Sequence, residues 1–209
     1  MGNAPSVILF DLGGVLFTYD PDRRARYIAE SAGLPVSEVQ ARVFDTDFDA
    51  RCESGDLDGP TSHAEFCRLL GVEWPIDVCR DALCSAFEAD GIVFGLACEL
   101  AAVRDVAGLS NNGQLIKDGL ARRHPDYAEI FGDRLYFSSD SGYLKPDLAA
   151  FTAALESWGK QPADVLFIGD TLENVTVASG LGFHVHRFFD AAALETDLRG
   201  LGLLSPSLD

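Results

Sequence analysis

Val7-Ile8-Leu9-Phe10-Asp11-Leu12-Gly13-Gly14 is the stretch that decides the architecture of this 209-residue chain. Four consecutive apolar residues, stopped by an acid and two glycines, suit a short strand buried on both faces that ends in a tight turn. Strands of that kind sit in parallel sheets covered by helices. A second run of the same shape, Val165-Leu166-Phe167-Ile168, ends at Gly169-Asp170. Val106–Leu109 is a third, ending at Ser110-Asn111-Asn112-Gly113, and Arg134–Phe137 and Phe183–Arg187 are two more. Helices are expected over 96–103, 114–123, 146–158, 171–181 and 191–198. Strands alternating with helices predict a Rossmann-like parallel α/β core.

The region between the first and second strands reads differently. From Pro21 to Asp90 the pattern is helical, with Pro21 placed to open a helix at its first position. Ser37-Glu38-Val39-Gln40 and Ser62-His63-Ala64-Glu65 both have the spacing of a capping box. Residues 75–89 read as a further helix with Val78, Leu83, Ala86 and Phe87 toward the core, and no run between Pro21 and Asp90 reads as a buried strand. The chain therefore divides into a core of residues 1–17 and 93–209 and an inserted helical domain over 18–92. The tail from Gly200 to Asp209 is expected to be loose.

Composition narrows the function classes. Lys and Arg number 16 against 33 Asp and Glu, a net charge of −17, so a nucleic-acid partner and an anionic membrane surface are both disfavoured. A small anionic substrate stays compatible, because a few cations in a cleft can dominate locally. With 47% hydrophobic and 23% charged residues, the chain can build a core and is not a disordered segment. No apolar run approaches the roughly 20 residues of a membrane span, and the N-terminus lacks the pattern of a secretory signal. Met1 to Ser6 fits a loose myristoylation pattern, but one acyl chain without a basic cluster anchors weakly. Five cysteines without a Cys-x-x-Cys spacing argue against zinc and against a disulfide framework, and point to thiols in a reducing, cytoplasmic setting. His184 and His186 alternate on one expected strand with no third ligand nearby, which reads as structural. Arg23-Arg24-Arg26 and Arg122-Arg123 read as solvated helix faces, although an arginine of the inserted domain is a candidate for the substrate's leaving group.

Ligands of open α/β sheets bind beyond the carboxyl ends of the strands. Asp11, Ser110 and Asp170 fall at such ends, and Lys145 follows the Arg134–Phe137 strand after a loop. Two carboxylates at one edge repel unless a cation lies between them, and hard oxygen donors suit Mg²⁺. The ordered motifs VILFDLGGVLF (7–17), LSNN (109–112), GYLKPD (142–147) and VLFIGDTLEN (165–174) resemble the haloacid dehalogenase superfamily, over about residues 7–190. LYFSSDSGYLKPD (135–147) and CESGDLDG (52–59) resemble the branch holding sugar-phosphate phosphatases and the phosphatase domain of soluble epoxide hydrolase.

The resemblance implies a Mg²⁺-dependent phosphomonoester hydrolase with a helical cap, acting on a small phosphorylated metabolite through an aspartyl-phosphate. It implies Asp11 as nucleophile, with Asp11, the Gly13 carbonyl and Asp170 holding the metal. Ser110, Asn111 and Lys145 would bind phosphate, and Asn174 would orient metal waters. One position departs from the pattern: most family phosphatases carry an acid two residues after the nucleophile, where this chain has Gly13. Asp20 is a candidate substitute, set against its ordinary reading as a helix-start residue. The departure also keeps two other readings open, a metal-independent 2-haloacid dehalogenase and a phosphate-binding module without turnover. Asp170 favours the metal and phosphate reading over the first, and the complete set of Asp11, Ser110, Lys145 and Asp170 weighs against the second.

Overall fold

A computed structural model describes residues 4–205 of the chain. The start of the acylation-like pattern, Met1 to Asn3, and the last four residues lie outside the described residues. In chain order the elements begin with strands β1 (Val7–Asp11) and β2 (Phe17–Tyr19). Helices α1 (Pro21–Ala32) and α2 (Val36–Val39) follow, the latter running into a π turn over Gln40–Phe44. Next come α3 (Phe48–Glu53), α4 (Gly59–Leu70), α5 (Ile76–Cys84), β3 (Phe87–Ala89) and α6 (Gly91–Ala101). The remainder alternates: β4 (Asp105–Ser110), α7 (Gln114–Arg123), α8 (Pro125–Phe131), β5 (Leu135–Phe137), α9 (Ser138–Ser141) and α10 (Leu148–Trp158). It closes with β6 (Val165–Gly169), α11 (Leu172–Leu181), β7 (His184–Arg187) and α12 (Ala191–Gly200).

Five strands form one parallel sheet in the order β5-β4-β1-β6-β7, with β1 at its centre. Successive side chains of a strand point to opposite faces, and here both faces are dry. Ile8, Phe10, Val106, Leu166 and Ile168 join the core shared with α6, α7 and α12. Val7, Leu9, Ala107, Leu109, Val165 and Phe167 join a second core with Phe151 of α10 and Val175 of α11. This is why the strands read as unbroken apolar runs, as the parallel core predicted. Among the described residues no helix is long and apolar enough to cross a membrane.

Helices α1 to α5 leave and return through a two-stranded antiparallel ribbon, β2 with β3, in which Phe17 faces Ala89 and Tyr19 faces Phe87. Strand β3 falls inside the helix expected over 75–89 and corrects it, although it is not a buried strand. Three-residue strands are too short to display alternation, and only the partner strand, about 70 residues away in the chain, makes them strands. The helix expected over 75–89 stops at Cys84, and Val78 is exposed instead of packed in the core.

Neither expected capping box forms. Pro35 precedes α2, and α4 begins earlier than Ser62 because Asp58 accepts a hydrogen bond from the Thr61 N–H at 2.8 Å. Ser62 is instead buried and donates to the Leu57 carbonyl. Helix α8 was not anticipated, yet its Tyr127 and Phe131 are fully buried. The tail is not wholly loose, since Leu203 and Leu204 pack into the core.

Candidate active site

Register brings the polar strand ends together. Asp11 lies opposite Leu109 on one side, and Phe10 lies opposite Ile168 on the other. Ser110 and Asp170 therefore flank Asp11, each one residue further along the common strand direction. Above them opens a cavity of about 410 Å³, lined at its base by Asp11, Gly13, Asn111, Lys145, Asp170 and Asn174. Ser110 is only 1% exposed and lies behind this wall, accepting a hydrogen bond from the Asn112 side-chain amide at 2.7 Å. Asn112 itself lines the cavity.

Lys145 is held at both ends. Its backbone N–H donates to Asn111 Oδ1 at 2.9 Å, and the Asn111 amide returns a bond to its carbonyl at 2.7 Å. Its ammonium donates to the Leu109 carbonyl at 2.7 Å and pairs with Asp11 Oδ1 at 2.6 Å. Asp11 and Lys145 are each only 6% exposed. Burial pushes the Asp11 carboxyl above the usual carboxylate range, with the Lys145 ammonium opposing that shift and the Asp170 carboxylate adding to it. The Leu12 N–H also donates to Asp11 Oδ1, at 2.8 Å. Both protein donors thus serve one oxygen, which leaves Oδ2 the uncommitted one among the described residues.

The turn after β1 needs glycine for a geometric reason. Gly14 has φ +82°, and a Cβ there would lie 2.2 Å from Asp170 Oδ2. Gly13 is different: a Cβ there would meet Phe87 Cε1 at 3.5 Å and Tyr19 Cβ at 4.0 Å, ordinary contacts. Asp170 follows β6, and Asn174 is buried in the first turn of α11. The carboxylates of Asp11 and Asp170 and the nearby Gly13 carbonyl are all hard oxygen donors. Among the described residues Lys145 is the one cation paired with Asp11 and none pairs with the Asp170 carboxylate, so this donor set fits Mg²⁺.

The inserted helices supply the rest of the cavity. Tyr19, Arg24, Phe48, Asp49, Cys52 and Glu53 face the sheet edge. Arg24 corrects the reading of Arg23-Arg24-Arg26 as a solvated face: it is 6% exposed, donates to Asp49 at 2.7 Å and lies 4.4 Å over the Phe44 ring. Arg23 is likewise tied down, to the Ser85 and Ala86 carbonyls. Asp49 and Glu53 were not singled out from sequence. Their i, i+4 spacing on α3 is visible there, but the direction of that face is not.

Asp20 does not reach the cavity. It caps α1, accepting from the Arg23 N–H at 2.9 Å, and the substitute role considered for it is set aside. His186 is buried and bonds Asp197 of α12 at 2.8 Å, while His184 is exposed, so the pair shares no metal site. The thiols are less scattered than their spacing suggested. Cys67 and Cys79 stand 3.6 Å apart beside His63, and His63 and Cys67 both bond the Trp74 carbonyl. The group ties α4 to the segment entering α5, and none of its members lines the cavity.

Fold and site together define a hydrolase class. The family described as haloacid dehalogenase-like hydrolase matches residues 5–182, and the chain belongs to it. Among its relatives, sesquiterpene phosphatase astK from Aspergillus oryzae is 24% identical over 203 residues, covering 92% of this chain and 94% of that protein. A haloacid dehalogenase family enzyme from Bacteroides thetaiotaomicron, crystallised with magnesium and inorganic phosphate, shares the fold with a TM-score of 0.77 at 22% identity. That alignment covers 91% of this chain and 98% of the other. A structure described as a predicted HAD-like family hydrolase, from Porphyromonas gingivalis, gives 0.76 at 27% identity over 94% of this chain and 98% of its own. The resemblance read from the four motifs is borne out at the level of family and fold.

Proposed function

We propose that this chain is a Mg²⁺-dependent phosphomonoester hydrolase that works through an aspartyl-phosphate on Asp11. One observation carries the reading. Two carboxylates, Asp11 and Asp170, converge on a closed-in cavity with a single ammonium, Lys145, at 2.6 Å from Asp11. A site with excess negative charge suits a divalent cation, and the pair of cation and ammonium suits a dianionic phosphoryl group. Mg²⁺ on Asp11, the Gly13 carbonyl and Asp170 would neutralise phosphoryl oxygens, so that an anionic nucleophile could approach an anionic ester.

The chain's own groups would divide the remaining work. Lys145 balances charge at the nucleophile and on the transferred group. Ser110 and the Asn111 backbone N–H bind phosphoryl oxygens. Ser110 accepts from Asn112, which leaves its own hydroxyl hydrogen to donate. Asn174 orients water at the metal. Residues 18–92 act as a cap whose closure excludes water and selects the leaving group. Phe48, Leu83, Leu115 and Ile116 give that group an apolar wall, and Arg24 and Asp49 a polar one.

The test is phosphate release from a panel of sugar, alkyl and terpenyl monophosphates, with Mg²⁺ or with EDTA, by the wild-type chain and Asp11→Asn. Release that requires Mg²⁺ and disappears in the variant is expected. Halide release from 2-haloacids that ignores EDTA would overturn the reading in favour of dehalogenation. Tight phosphate binding with no turnover of any ester would leave the binding-module reading instead.

A further inference from the structure

Ester cleavage needs a proton at the leaving oxygen, and the position two residues after Asp11 has no side chain to supply one. A Cβ on Gly13 would meet the returning ribbon, Phe87 Cε1 at 3.5 Å and Tyr19 Cβ at 4.0 Å. Around Tyr19 stand Arg24, Asp49 and Glu53, whose charges all act on its phenol. All four line the cavity that holds Asp11. The insertion therefore sets a group of ionisable side chains against the side of the site where the acid is missing.

Most of these groups are already committed. Asp49 is paired with the Arg24 guanidinium at 2.7 Å. Cys52 bonds Ser62 at 3.4 Å, and burial pushes its thiol up to about 11. Burial also raises the Tyr19 phenol above its ordinary value near 10. Glu53 alone is a cavity-lining carboxyl of the insertion without a hydrogen bond or ion pair among the described residues.

We propose that Glu53 is the general acid and base of this enzyme, standing in from the inserted domain for the side chain that Gly13 lacks. The inference rests on the phosphatase reading above. In the first half-reaction Asp11 bonds to phosphorus as the phosphorus–oxygen bond to the leaving group breaks. The Glu53 proton passes to that oxygen, which departs as an alcohol. In the second, the Glu53 carboxylate takes a proton from water as the water oxygen bonds to phosphorus. The bond from phosphorus to Asp11 breaks, phosphate leaves, and Glu53 is again protonated.

The environment suits both directions of transfer. Burial, with the Asp49 carboxylate adding to it and Arg24 opposing it, brings the Glu53 carboxyl to about 7. A group that titrates near the working pH serves as donor and acceptor alike. The other charged residues packed around α3 point elsewhere: Arg51 to Asp47, Arg42 to Glu38, Glu65 to Arg68, Asp140 to Lys117.

The experiment compares kcat/KM for an alkyl phosphate and for nitrophenyl phosphate, whose leaving group departs as a stable anion and needs little protonation. It uses wild type, Glu53→Gln, and Glu53→Gln combined with Gly13→Asp. Glu53→Gln is expected to lower the alkyl rate by roughly 10²–10⁴-fold, the worth of a positioned acid, and the nitrophenyl rate by much less. The limb of the pH profile near neutrality should vanish in Glu53→Gln. Adding Gly13→Asp should recover at least about tenfold on the alkyl ester, since a Cβ there meets only ordinary contacts and would carry a carboxyl two residues after the nucleophile. Equal losses on both esters with the pH limb intact, or no loss, would overturn the role of Glu53 while leaving the phosphatase reading standing. A wild-type chain that releases phosphate from neither ester, with Mg²⁺ present, would instead overturn the phosphatase reading and the inference with it.

Discussion

Replacing Gly14 by alanine tests the geometry of the turn that places Asp170 beside Asp11. A Cβ at Gly14 would stand 2.2 Å from Asp170 Oδ2 and 2.6 Å from its Cγ. Carbon and oxygen not bonded to each other settle about 3.4 Å apart, as ordinary packing distances require, so one group must retreat by about 1.2 Å. The backbone of Gly14, at φ +82°, cannot relax toward the common regions without breaking its N–H bond to the Phe17 carbonyl, at 2.7 Å. The left-handed conformation alone costs a residue with a Cβ about 1–2 kcal/mol.

For a chain of this size each kcal/mol moves Tm by about 2–4 °C. Gly14→Ala should therefore melt about 2–8 °C below wild type in EDTA, a range from the backbone conformation alone. Because Asp170 is the group displaced, the Mg²⁺ concentration that gives half-maximal thermal stabilisation should rise by at least about tenfold, an increment of 1.4 kcal/mol. Gly13→Ala is the matched control for folding. Its Cβ meets only ordinary contacts, and its melting temperature in EDTA should stay within about 2 °C, a change of roughly half a kcal/mol. Calorimetry with and without Mg²⁺ reads both numbers. Equal Tm values for the two variants, with the Mg²⁺ midpoint of Gly14→Ala unmoved, would refute this account of the turn.

Three further outcomes are expected. Lys145→Met keeps the apolar stem but strands the buried Asp11 carboxylate, so urea unfolding at neutral pH should show a loss of about 3–5 kcal/mol. The double variant with Asp11→Asn should recover much of it, and simple additivity would contradict the pairing. Glu53 has a folded-state value near 7, raised from 4.5, so the unfolded chain ionises first and stability falls as pH rises between those values. Glu53→Gln should accordingly melt higher than wild type at pH 8 and alike at pH 4, and an identical gap at both would contradict the shift. Tyr127 is fully buried with no partner for its hydroxyl among the described residues, so Tyr127→Phe should be neutral or stabilising by up to about 1 kcal/mol, read by urea midpoint.

Much of the core was legible because its evidence is local. Val7–Phe10 and Val165–Ile168 announce buried strands by composition alone, and the acids that follow them mark the functional edge. The ribbon of Phe17–Tyr19 with Phe87–Ala89 was not legible, because each strand exists only through its partner. Helix α8 was missed although Pro125 opens it, since Asp126 and the glycine after Phe131 mask a short apolar face. Arg24 read as one of three clustered surface charges, and only the packing of α1 turns it inward while Arg26 stays out.

Residue order by itself determined the parallel α/β class, the family, and the identities of Asp11, Gly13, Ser110, Asn111, Lys145, Asp170 and Asn174 as candidates. Those follow from short-range pattern and from motif chemistry, which need no knowledge of contacts. Tertiary structure alone decided that Lys145 meets Asp11 at 2.6 Å, that Asp170 fills the space a side chain at Gly14 would need, and that Asp20 is a helix cap. It also decided that Glu53 faces the nucleophile's cavity. The reason is physical: which side of a six-residue helix faces a site is set by how the whole insertion docks through its two-stranded ribbon, and six residues carry too little periodicity to say so.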